Sequence, residues 1–136
     1  MDSLHVPVSA DLLASIGQPP AWSEAVRAGN HVYVTGQVGW DKRTGTMREG
    51  IETQTRQALE NLRDVLEQAG SSLADVVIVR VYLTDAADHD QYTAVYQDFF
   101  PEKPPARVTV VVHDLVDEGS LIDVEAEAIA GLASRY

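Results

Sequence analysis

The chain contains no cysteine, and nowhere do four lysines or arginines stand in a row. Each absence removes a class of function. Without cysteine there is no disulfide scaffold, no thiolate metal site and no cysteine nucleophile. Cationic residues are scarce: 10 Lys+Arg face 21 Asp+Glu, a formal charge of −11. Nucleic acid and anionic membrane surfaces are therefore repelled on average. That excludes a general RNA or DNA binder, but leaves room for a local basic cleft holding a small anion. No stretch of roughly 18 apolar residues is available to cross a bilayer. The opening segment, Met1 to Leu13, lacks the basic and apolar regions of a signal peptide. A soluble, cytoplasmic protein is expected.

What is present suffices for one domain over residues 1–136. The hydrophobic share of 45% can fill a core at this length. There is no internal repeat, low-complexity tract or linker. The Gln18-Pro19-Pro20 and Pro104-Pro105 segments act as punctuation, because the residue before a proline is driven out of the helical region.

Two helices are predicted. From Ile51 to Ala69 an apolar stripe runs through Ala58, Leu59, Leu62, Val65 and Leu66, and Gly70 follows at a typical C′ position. Ser72 to Asp75 resembles a capping box for one further turn. The second helix spans Asp88 to Phe100, with Tyr92, Val95, Tyr96 and Phe99 on one side, Asp88 and Gln91 at its start, and Pro101 as its stop.

Four strands alternate with period two. In His31–Gln37, Val32 and Val34 oppose His31, Tyr33, Thr35 and Gln37. In Val76–Thr84, Val77, Val79, Val81 and Leu83 oppose Arg80 and Tyr82. In Arg107–His113, Val108, Val110 and Val112 oppose Arg107, Thr109, Val111 and His113. In Ile122–Ala130, Ile122, Val124, Ala126 and Ala128 oppose Asp123, Glu125, Glu127 and Ile129. Weaker strands are expected near Leu4–Val8 and Trp22–Val26, and a turn at Lys42–Gly45. One apolar face per strand implies a mixed sheet of about six strands with two helices on one side, an α+β two-layer sandwich. The other face would mix tyrosine and valine with Arg80, Arg107 and three carboxylates. That is either a solvated surface or an oligomer interface enclosing polar pockets.

Candidate chemistry narrows quickly. His5, His31, His89 and His113 show no metal-binding spacing, Gly36 and Gly39 do not open a helix, and no nucleophile elbow surrounds a serine. No metal or organic cofactor is expected. Arg107 remains, delivered to a strand start by Pro104-Pro105. Its planar fork can grip a carboxylate bidentately, or it can pair structurally with Glu125 or Glu127. Asp123, Glu125 and Glu127 recur along one strand face at about 7 Å. Without nearby cations one of them should have a raised pKa.

At these residues the sequence resembles the Rid/YjgF family, also described as endoribonuclease L-PSP. Pro105-Ala-Arg107-Val-Thr-Val with Asp123-Val-Glu-Ala-Glu127-Ala-Ile-Ala130 is similar to the C-terminal signature of that family. Gly29 to Gln37 with Thr44-Gly45 resembles its N-terminal one, and Tyr92 to Phe100 its second helix. The resemblance implies a chorismate-mutase-like fold and a homotrimer with clefts between protomers. It also implies cofactor-independent hydrolysis of reactive enamines and imines, such as 2-aminoacrylate, to 2-keto acids and ammonia. By the same resemblance Arg107 holds the substrate carboxylate, Glu127 positions or activates water, and the Gly36 region orients the substrate. The remaining substrate-binding positions depart from the common pattern: Trp22 replaces a tyrosine, Thr35 a serine, Thr93 an asparagine and Thr109 a cysteine. A reshaped cleft with a different or larger substrate is the expectation. Two other classes stand beside it. One is a non-catalytic ligand-binding or regulatory trimer, favoured by the loss of the tyrosine hydroxyl. The other is an endoribonuclease or translation inhibitor, which the net charge opposes.

Overall fold

A computed structural model describes residues 3–17 and 20–135. The elements in order are β1 (Ser3–Val6), α1 (Ala10–Ile16), β2 (Ala25–Ala28), β3 (His31–Val38), β4 (Trp40–Asp41), β5 (Thr46–Met47), α2 (Ile51–Gln68), β6 (Val76–Leu83), α3 (His89–Phe99), β7 (Ala106–Val111) and β8 (Ile122–Ile129). Six strands form one mixed sheet in the order β1-β2-β3-β8-β6-β7, and β4 and β5 form a small hairpin around the predicted Lys42–Gly45 turn. Only the β6–β7 pair is parallel, and α3 makes the crossover between them. Among the described residues no helix is long and apolar enough to cross a membrane. The Gln18-Pro19 part of the first proline segment lies outside the described residues.

The core is the layer between sheet and helices. Leu59, Leu62, Val65 and Leu66 of α2 pack with Tyr92 and Tyr96 of α3 and with Val32, Val79, Val81, Val124 and Ala126 of the sheet. Stripe and alternation therefore meet as the patterning predicts. α2 starts at Gly50 with no side-chain cap and ends in a Schellman turn. There the Ser71 N–H donates to the Leu66 carbonyl (2.9 Å) and the Gly70 N–H to the Glu67 carbonyl (3.0 Å). Gly70 sits at φ +79°, and a Cβ there would lie 2.6 Å from the Arg27 guanidinium, which itself caps the Ala69 carbonyl.

Several local readings change. The expected capping box at Ser72 is not made. Asp75 is buried and accepts instead from Ser71 Oγ and from the Gly131 and Ala133 N–H groups, fastening the C-terminal turn. Two backbone donors and a hydroxyl within its reach are worth more to a buried carboxylate than a cap at the surface, and such hydrogen bonds hold its pKa below the usual range despite burial. Asp88 likewise donates no cap; Asp85 accepts from the Ala87 N–H one turn earlier. The helix α1, capped by Ser9 on the Leu12 N–H, is too short for periodicity to show.

Two bulges shift the alternation. In β3 the register breaks between Val34 and Gln37, so Gln37 turns to the helix side and is buried. In β6 a break between Val76 and Ile78 makes Val76, not Val77, the buried residue.

The largest correction is in β7. Arg107, Thr109 and Val111 pair with Val79, Val81 and Leu83, so they share the helix side of the sheet. Val108 and Val110 point to the outer face and are 47% and 41% exposed. Alternation identifies two faces, but an edge strand beside an aromatic helix can present its polar face inward. The outer face thus carries Tyr33, Tyr82, Val108 and Val110 around Arg80, Glu125 and Glu127, without Arg107.

Candidate functional site

Two groups of side chains form on opposite sides of the sheet. The first is built by β7 and α3. The Arg107 guanidinium lies over the Tyr92 and Tyr96 rings, 5.0 and 4.9 Å from their centroids, and donates to Thr93 Oγ1 at 3.2 Å. Tyr92 and Tyr96 are one helical turn apart, so their rings form one floor. The Tyr92 and Thr109 hydroxyls are hydrogen-bonded at 2.5 Å. Burial pushes the Tyr96 phenol up to about 12, and its oxygen has no partner among the described residues. Arg107, Thr93 and Thr109 are therefore brought together as a polar edge on an aromatic base. Among the described residues no carboxylate lies within ion-pair distance of Arg107. Sequence patterning alone does not mark the aromatic floor as part of a site, because two tyrosines at helical spacing look like ordinary core.

The outer-face carboxylates have their own cation. Arg80 donates to Glu127 at 2.5 Å and stands 4.0 Å from Glu125. That contact with Glu127 is the main reason the Arg80 pKa rises. Tyr82 donates its hydroxyl to Glu125, which pushes the phenol up because ionising it would set two anions together. The structural ion pair considered for Arg107 is thus made by Arg80.

The second group lines a cavity of about 730 Å³ that contains Trp22, Thr35, Gly36 and Asp123. The β3 bulge forms one wall. A Cβ at Gly36 would fall 2.4 Å from Asp123 Oδ1, so only glycine lets that carboxyl rest against the bulge. Asp123 Oδ1 is buried with no partner among the described residues, as is Nε1 of Trp40, which lines the same cavity. Burial, with Asp117 and Glu125 adding repulsion, pushes Asp123 up to about 6. The raised pKa expected along this strand is found at Asp123, which has no ion pair among the described residues. Among the described residues, no group of three His, Cys, Asp or Glu side chains is placed to hold a metal ion.

Arg107 and Glu127 do not share a face. They lie on opposite sides of the sheet, and one strand, β6, separates β8 from β7, about 10 Å at about 4.8 Å per step. Trp22, Thr35 and Gly36 sit with the cavity, and Thr93 and Thr109 with Arg107.

The model of the family described as Endoribonuclease L-PSP matches residues 14–131. The chain belongs to the Rid/YjgF family. A RutC family protein of Pyrococcus horikoshii is 44% identical over 110 residues, covering 80% of this chain and 85% of its own. A rat protein named 2-iminobutanoate/2-iminopropanoate deaminase is 36% identical over 119 residues, covering 87% and 84%. The crystal structure of RidA from an Antarctic Psychrobacter superimposes with a TM-score of 0.79 at 34% identity, covering 92% of this chain and 94% of that one. The six-stranded mixed sheet with two main helices is thus a Rid-family fold.

Proposed function

We propose that this Rid-family chain hydrolyses reactive enamines and imines of the 2-aminoacrylate kind to 2-keto acids and ammonia. The observation that carries this reading is Arg107: a guanidinium held on two aromatic rings and a threonine, with no carboxylate of its own. A cation so placed is ready for a ligand anion, and its fork suits both oxygens of a substrate carboxylate. The named activity of the rat relative supports the same chemistry.

The reaction asks little of the protein. Water adds to the C=N carbon, giving a carbinolamine that expels ammonia and leaves the keto acid. Orientation and one proton-transfer group suffice, without metal or organic cofactor. Glu127 is the carboxylate proposed to position the water. Since it lies across the sheet from Arg107, the complete site requires two copies of the chain. One copy presents Arg107, Thr93 and Thr109, and its neighbour presents Trp22, Thr35, Gly36 and Glu127. A homotrimer of about 45 kDa provides three such junctions. It also covers the exposed Tyr33, Val108 and Val110 of the outer face.

Strand register favours a second reading for the carboxylate. Glu125 lies directly across from the Thr35–Gly36 bulge, whereas Glu127 faces Tyr33 and is clamped by Arg80. Glu125→Gln and Glu127→Gln separate the two. The role belongs to the residue whose loss lowers kcat while leaving KM unchanged.

The decisive experiment couples the protein to an amino-acid oxidase that releases imines, and follows keto-acid formation. Acceleration over the uncatalysed rate is expected. A flat trace with every imine tried leaves the ligand-binding trimer, and light scattering that shows a monomer removes the two-copy site.

A further inference from the structure

The Asp123 carboxyl lines the cavity, and the proposed reaction leaves it without a task. It rests on Gly36, its Oδ1 is buried, and no donor reaches it among the described residues. Two cationic side chains of this region are already engaged: Lys42, which also lines the cavity, on the buried Glu24, and Arg80 on Glu127 and Glu125. Asp117 and Glu118 stand at the same rim, so the local field is negative. Trp22, 48% exposed, lines the same cavity, and its indole offers the best aromatic face for a cation.

We infer that this cavity selects imine substrates whose side chain carries a protonated nitrogen, an ammonium or guanidinium, with Asp123 as its counter-ion and Trp22 as its aromatic wall. The inference rests on the deaminase reading and names the substrate class within it. A neutral side chain entering here would bury the carboxylate further with nothing to donate to it, which costs free energy. A cationic one supplies the missing donor and relieves the repulsion from Asp117 and Glu125. The shift of Asp123 to about 6 reports the same frustration, and an incoming cation would reverse it. The chain as a whole agrees: at −11 it repels a plain 2-imino carboxylate, but not one whose side chain cancels that charge. The replacement of a family tyrosine by Trp22 acquires a purpose, since the indole gives up a hydroxyl and gains quadrupole.

Arginine and citrulline provide the test, because they differ by little more than the charge on the side-chain terminus. Imines of both are generated in place by an L-amino-acid oxidase, and kcat/KM is compared for the wild-type protein and for Asp123→Asn. A preference of at least about tenfold for the arginine-derived imine is expected, the size of a charge-assisted hydrogen bond. Asp123→Asn should reduce that ratio to about twofold or less by lowering the arginine arm. Equal rates on the two imines, or a ratio that survives Asp123→Asn, overturns the inference while leaving the deaminase reading in place. A change of oligomer mass in Asp123→Asn also overturns it, since the carboxyl would then pair with a neighbouring copy.

Binding is read separately from turnover. Trp22 and Trp40 are the two tryptophans of the chain and both line the cavity, so intrinsic fluorescence reports its occupancy. Free arginine should perturb it at concentrations at least about tenfold below citrulline, and only while Asp123 is present. If neither imine is hydrolysed yet this preference holds, the deaminase reading fails and the cation site stands.

Discussion

The buried face of α2 and the cavity near its middle are both polar, yet one is saturated and the other is not. Gln54 donates to the carbonyls of Arg48 and Gly119 and accepts from the Leu121 N–H. Asn61 donates to the carbonyls of Val38 and Trp40 and accepts from Gln57, which accepts from Arg48, which in turn bonds Asp41. Every donor in that seam has a destination, and its work is to hold the chain after the β3 bulge. A few residues away, Asp123 Oδ1 and Trp40 Nε1 are buried with nothing to bond among the described residues. Saturated polar networks specify structure, and orphaned polar atoms cost stability unless something else uses them. The contrast separates the residues that make the fold from those held for a ligand.

The largest effect expected on the functional side belongs to Arg107→Lys. The charge survives, but the fork does not, and a lysine cannot lie flat on the Tyr92 and Tyr96 rings. A loss of about 2–4 kcal/mol in transition-state binding, roughly 30- to 1000-fold in kcat/KM, should appear with an unchanged melting temperature. A sharp fall in melting temperature or in oligomer mass would return Arg107 to a structural role. On the structural side Gln54→Ala should behave oppositely. It strands two carbonyls and the Leu121 N–H in the interior, for a destabilisation of about 2–4 kcal/mol in urea unfolding, with kcat/KM of the folded protein near wild type.

Asp123 sharpens the contrast through pH. Its folded pKa lies near 6, above the 3.8 of the free side chain, so the native state holds the proton more tightly than the unfolded one. Stability from this group is therefore fully present below about pH 3.8 and is lost as pH rises through 6. Asp123→Asn should be more stable than wild type at pH 7.5, by about 1–2 kcal/mol after allowing for solvent screening, and the difference should vanish at pH 4. Parallel unfolding curves for the two proteins at both pH values would show that the carboxyl is not strained.

How much of this was legible in the sequence depends on which constraint a residue answers to. The α2 stripe and the Val79/Val81/Leu83 and Val124/Ala126 alternation answer to burial, which period alone reveals, and the fold followed from them. Gln37 and Val77 answered to bulges, where one inserted residue reverses the pattern without a local mark. Arg107 was marked by its prolines, but not the face it occupies, because β7 is an edge strand whose inward side is polar. Asp123 was visible as one of three spaced carboxylates. That it has no cation among the described residues, while Glu125 and Glu127 share Arg80 from β6, is set by register. The resemblance supplied the roles of Arg107 and Glu127 but could not show that the sheet stands between them.

The smallest predicted effects compare two hydroxyls on one aromatic floor. Tyr92 and Tyr96 both support the Arg107 guanidinium at about the same distance, and replacing either by phenylalanine keeps the ring. Tyr92 spends its hydroxyl on Thr109, so Tyr92→Phe should cost about 0.5–1.5 kcal/mol of stability, the net worth of one such bond, and leave Thr109 freer to turn from the Arg107 edge. The Tyr96 hydroxyl has no partner among the described residues and is buried, so its removal sheds a desolvated group. Tyr96→Phe should then be neutral or slightly stabilising, within about 0.5 kcal/mol. Thermal unfolding of the two variants in parallel makes the comparison. If Tyr96→Phe keeps its stability but loses kcat/KM, that hydroxyl belongs with the orphaned atoms awaiting a ligand. If instead it destabilises as much as Tyr92→Phe, the phenol has a partner in the assembled protein, and the vacant-versus-saturated distinction does not hold at this edge.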